Sequence, residues 1–140
     1  MKMNGVESLL KLLQQFLQNV IIHRNSLGCL TLLVKSDKTV CDMIRRRLGL
    51  SLIVDTIGSF DSNPQYCVQA LAFLQEVIAG RDERRKRRVD AECYKVLINR
   101  MICEVVLTLL KRQIHHLTVV TMALVFLDSL LGEGECDVSR

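Results

Sequence analysis

Three groups of residues have types that could do chemistry. The first lies in GRDERRKRRVD at 80–90, where Arg84, Arg85, Lys86, Arg87 and Arg88 are consecutive cations. Such a block could contact phosphates. Exposed and extended, it could serve as a nuclear-import signal, and dense like charge also suits a plain solvated loop. The second group is Arg45-Arg46-Arg47. It lies opposite the short Val40/Ile44/Leu48 stripe near a helix end, where cations complement the negative end of a helix dipole better than they make a phosphate site. The third is His115-His116 with Cys93 and Cys103 upstream. Zinc sites use close pairs such as C-x(2–4)-C or H-x(3–5)-H. The spacing here, C-x9-C-x11-H, is too open, and adjacent histidines on a helix diverge by about 100°. A Cys–His nucleophile would also need an orienting Asn or Asp and an oxyanion pocket. The sequence shows no such cluster, no glycine-rich phosphate loop and no G-x-S-x-G. The expectation is a non-enzyme with no metal and no cofactor.

The elements that carry these residues are helical. A chain of 140 residues suggests one domain. It is 49% hydrophobic but only 4% aromatic, with no Trp, a composition suited to repetitive aliphatic helix packing. The net charge of +4 is concentrated in the two basic clusters; a general nucleic-acid binder spreads its charge over one face. Six cysteines occur without a C-x-x-C, and five lie inside apolar segments, where Cys behaves as a small hydrophobe. Glu7, Gln14, Gln15 and Gln18 interrupt any leader-like apolar run at the amino terminus. The longest apolar run, Leu117–Leu127, falls short of the roughly 20 residues a membrane span needs. These features point to reduced thiols in the cytoplasm and/or nucleus, and to no membrane.

Apolar residues recur at i, i+3, i+4 and i+7 almost throughout, which predicts helices. The stripes are Leu9, Leu10, Leu13 and Phe16/Leu17; Ile21, Leu27, Leu30 and Leu33/Val34; Val40, Ile44 and Leu48; Leu50, Ile53, Val54 and Ile57; and Val68, Leu71, Leu74, Val77 and Ile78. A sixth opens at Val96, Leu97 and Met101 and runs into Val105, Val106, Leu109 and Leu110. The last is Leu117, Val120, Leu124, Leu127 and Leu130/Leu131. Ser36-Asp37 and Asp90 read as helix caps, and Asn63-Pro64 as the clearest helix start. Residues 132–140 read as a frayed polar tail after an array spanning 1–131.

The stripes repeat. GVESLLKLL at 5–13 superposes on GLSLIVDTI at 49–57, CLTLLVK at 29–35 on ALAFLQE at 70–76, and the latter on ALVFLDS at 123–129. The last two offsets are 41 and 53 residues, and the excess falls in the basic insertion at 80–90. Residues 38–79, KTVCDMIRRRL then GLSLIVDTIGS then DSNPQYCVQALAFLQEVIAG, resemble an armadillo repeat end to end. Residues 5–36 lack a first helix, and 91–131 carry Ile102 where that family has Gly. The related HEAT-type array is the competing family. The resemblance implies an all-α, right-handed α-solenoid of about two and a half repeats, acting as a protein–protein interaction scaffold or adaptor through the concave face of its stacked third helices. In import receptors and catenins of that family an Asn on each third helix grips an extended peptide. The matching positions here are Lys35, Glu76 and Ser129, so the implied partner is a helix or a folded surface. Neither end of the array carries a polar capping helix, which adds self-association as an expectation. The alternative function is a nucleic-acid- or chromosome-associated adaptor whose 84–88 segment contacts phosphates.

Overall fold

The computed structural model describes residues 2–37, 39–47, 49–80, 88–89 and 91–139, with side chains described within 5–37, 39–47, 49–78 and 94–131. Eight helices follow in chain order: α1 (Lys2–Gln15), α2 (Val20–Ser36), α3 (Thr39–Arg46), α4 (Gly49–Ser59), α5 (Pro64–Ile78), α6 (Ala91–Asn99), α7 (Ile102–Arg112) and α8 (Leu117–Ser139). A two-residue antiparallel ladder, β1 (Ala79–Gly80) with β2 (Arg88–Val89), pairs the two ends of the basic insertion. Arg84, Arg85, Lys86, Arg87 and Asp90 lie outside the described residues, as does Leu48. Among the described residues the protein is all-α apart from that ladder.

Local chemistry sets the helix starts. Asn63 Oδ1 accepts from the Tyr66 amide at 2.9 Å, with Pro64 in the first helical position. The cap satisfies an amide that has no partner inside the helix, worth about 1 kcal/mol. Asp37 Oδ1 accepts from both the amide and the hydroxyl of Thr39, at 3.0 and 2.7 Å, fixing the entry to α3. Asn19 does the same for α2 by accepting from the Ile22 amide, a cap the apolar pattern did not signal. The bend between α6 and α7 falls at Met101, whose backbone is left-handed (φ 58, ψ 45). It divides the sixth stripe into two helices and turns Met101 out of the core.

Helix α5 is the centre of the molecule. It packs against α2 and against α8, while α2 and α8 do not form a packed pair with each other. Of its residues only Gln65 is exposed. Tyr66, Phe73, Leu71 and Leu74 are fully buried; truncating such a leucine to alanine costs about 2–5 kcal/mol. The core continues through Leu10 and Leu13 of α1, Leu27 and Leu30 of α2, all four predicted residues of α4, and Val106 and Leu109 of α7.

The last stripe is displaced by about one residue. Val119, Ala123, Phe126 and Leu130 are buried, whereas Leu117 and Leu124 are 78% and 53% exposed. Residues 117–127 are apolar almost all round the helix, so spacing alone does not define its inner side. Phe16, Leu17 and Ile21 are likewise exposed around the α1–α2 turn instead of completing their stripes. No helix among the described residues is long and apolar enough to cross a membrane.

A buried polar and aromatic chain ties the layers together. His23 of α2, 1% exposed, places Nε2 3.1 Å from the Leu13 carbonyl of α1. Its ring meets Phe60 edge-on, and Phe60 meets Tyr66 edge-on, with centroids 5.3 and 5.0 Å apart. Tyr66 Oη lies 3.2 Å from Thr56 Oγ1. Because the Thr56 hydroxyl donates to the Ile53 carbonyl, the tyrosine is the donor of that pair.

Candidate partner-binding face

Lys35 and Glu76 sit near the C-terminal ends of α2 and α5 and Ser129 lies past the middle of α8, and packing of those helices brings them into one row. Lys35 Nζ lies 3.9 Å from Glu76 Oε2. Gln75 Nε2 donates to Ser129 Oγ at 3.1 Å. Two turns earlier, a Cβ on Gly28 would lie 3.6 Å from the Gln69 side chain. Gly28 to Gln69 and Lys35 to Glu76 share the offset of 41 residues found in the sequence. A constant offset at two heights means that α2 and α5 run parallel and in register. Gln75–Ser129 lies within one residue of the offset of 53 between α5 and α8.

The row is mixed in charge and internally paired. The Lys35 side chain is 54% exposed, against 23% for Glu76, so a partner meets the ammonium more readily than the carboxylate. Gln75 and Ser129 are half-buried. A surface pair of this kind is worth about 0–1 kcal/mol, so a bound partner can compete for it at little loss. Gln75 belongs to the row, although the repeat alignment did not select it. The available signal was its place beside Glu76 on the same helix.

The opposite ends of the layers are clamped. Gln113 Nε2 donates to the Asp61 carbonyl at 3.0 Å, and Arg112 Nε lies 3.2 Å from Asp61 Oδ1. Arg100 pairs with Asp55 at 3.6 Å. The α4–α5 turn is thereby tied to α7, and α4 to the end of α6.

The remaining chemistry-bearing groups fall into structural positions. Arg45 is a 2.8 Å partner of Asp42 within α3, and Arg47 pairs with Glu7 of α1. His116 Nδ1 accepts from the Val119 amide at 3.5 Å at the start of α8, and both His115 and His116 are exposed. Cys103 is half-buried, and burial raises its thiol above the ordinary range. Burial, reinforced by the Asp61 charge, pushes the Cys67 thiol up to about 12, which makes it a poor nucleophile. No three His, Cys, Asp or Glu side chains among the described residues converge as a metal site. Of the predicted import or phosphate segment, only the backbone of Arg88 is described, as part of the short ladder.

In comparisons with known proteins, no family model matches this chain, and neither a curated protein nor a solved structure matches it significantly.

Proposed function

We propose that the chain is an armadillo-like α-solenoid of about two and a half repeats, working in the cytoplasm and/or nucleus as a non-enzymatic interaction scaffold. The observation that carries this reading is the register: α2, α5 and α8 occupy successive places at the sequence-repeat offsets, with Lys35, Glu76 and Ser129 in one row. The mechanism is rigid display. Stacked third helices with buried inner faces hold the row without a loop that must order on binding, so little conformational entropy opposes association. The paired, partly exposed polar row suits a helix or a folded surface carrying its own polar groups. One standard-sized interface, about 800 Å² per side, fits an array of this size.

The test is affinity capture from cytoplasmic and nuclear extract on the immobilised chain, in parallel with Glu76→Arg and with Glu104→Arg on the exposed side of α7. A partner lost with Glu76→Arg and kept with Glu104→Arg supports the face. Partners insensitive to both refute it. Binding that falls steeply with salt and disappears when Arg84–Arg88 are neutralised would move the assignment to phosphate contact.

A further inference from the structure

The register that orders the row also describes two surfaces that flank it, one of which includes Lys35. Helix α5 is covered on both sides, by α2 and by α8, whereas each of those helices keeps an exposed stripe. On α2 that stripe holds Ile21, Asn25, Leu32 and Lys35; on α8 it holds Thr118, Val125, Asp128 and Leu131. Leu32 is 67% exposed and Val125 52%. These are large apolar side chains on regular helices, whose exposure to water is unfavourable.

The two stripes match each other. Gln75, one residue before the row position on α5, is the residue that reaches Ser129 on α8. One layer further along, the residue one before the row position on α8 is Asp128, and the row position on an incoming α2 is Lys35. The one-residue stagger of the α5–α8 pair, carried to the next junction, sets Asp128 against Lys35. Three residues earlier on both helices it sets Val125 against Leu32, and seven residues before that it sets Thr118 against Asn25. Opposite charges, apolar groups and polar groups each fall on their own kind of partner.

We propose that α2 of a second copy of this chain docks on the exposed stripe of α8, head to tail, with Lys35 of one copy facing Asp128 of the other. The surface shares Lys35 with the partner-binding row, and the inference stands on the helix register whether or not that row binds a partner. Such a contact joins two different patches, so it is heterologous: each added copy leaves the same two patches at the ends, and assembly continues unless the rotation closes a ring.

The experiment is sedimentation equilibrium of the full chain over a wide concentration range, with far-UV circular dichroism on each variant. The wild type is expected to grow past a dimer as concentration rises. Asp128→Lys and Lys35→Asp are each expected to weaken association about tenfold, since each replaces a surface attraction by a repulsion. An equimolar mixture of the two variants is expected to regain it, because every junction between unlike chains is again oppositely charged. Val125→Glu, at an exposed position, provides a second disruption that leaves Lys35–Glu76 intact. A chain that stays monomeric throughout overturns the proposal. So does association that survives both Asp128→Lys and Val125→Glu, or variants that do not complement each other while remaining helical.

Discussion

Replacing Gly49 by alanine is predicted to destabilise the protein by about 1–2 kcal/mol. Gly49 is the buried first residue of α4, and its φ is not positive, so its backbone conformation does not require glycine. What requires it is space. A Cβ there would lie 2.7 Å from Leu10 Cδ2 and 3.2 Å from both Ile44 Cγ2 and the Ile44 carbonyl oxygen. Leu10 is 5% exposed and has no solvent to swing into. Overpacking a closed site costs about 1–3 kcal/mol. Alanine's helix preference offsets at most about 1 kcal/mol, and less in the first turn. The net loss corresponds to a fall in Tm of roughly 3–8 °C for a chain of this size. Urea unfolding followed by circular dichroism measures it, with Gly5→Ala as the matched control. Gly5 lies inside α1 with open space where its Cβ would stand, so its substitution should stabilise by about 0.5–1 kcal/mol. Adding Leu10→Ala to Gly49→Ala should show a favourable coupling of about 0.5–2 kcal/mol, because the trimmed side chain no longer collides. A Gly49→Ala protein as stable as the wild type, or a cycle without coupling, refutes the close-approach reasoning.

Three other outcomes are expected. Burial holds His23 below its ordinary pKa of 6.5 despite the carbonyl hydrogen bonds of Leu13 and Phe16, so folding favours the neutral ring. The stability it contributes is full above pH 6.5 and is lost as pH falls through the lowered folded pKa. Urea midpoints measured from pH 7.5 to 5 should fall, and fall less steeply in His23→Leu. Tyr66→Phe should cost about 0.5–1.5 kcal/mol by urea unfolding, because one buried hydrogen bond is lost while Thr56 keeps its bond to Ile53. A native thiol assay at pH 8 should modify the exposed Cys29 rapidly and Cys67 only on unfolding.

Much of this architecture was legible in the residues, and the failures have physical reasons. The stripe of α4 was read in full because its exposed positions, Asp55, Gly58 and Ser59, give the helix an edge without large apolar groups. The α8 stripe was misphased because an apolar run has no such edge, and only packing against α5 chooses the inner side. The Asn63 and Asp37 caps were visible as residue types at helix starts, whereas Asn19 was hidden between apolar stripes. The row Lys35, Glu76 and Ser129 followed from the repeat offsets. Gln75 did not, since a one-residue stagger between helices is set by side-chain interlocking. The need for glycine at 49 was not legible in the sequence, because it is a matter of room set by Leu10 and Ile44.

The left-handed joint at Met101 has a consequence of its own. An L-residue with a side chain sits about 1–2 kcal/mol above glycine in that conformation, and the Met101 side chain is 55% exposed, so it recovers little by packing. Backbone hydrogen bonds from the Met101 amide to Ile98 and from the Glu104 and Val105 amides to the Met101 carbonyl span the joint, and Ile102 is fully buried at the next position. The joint between α6 and α7 is therefore spring-loaded, and Met101→Gly would relax it and raise the melting temperature without altering the contacts among α2, α5 and α8.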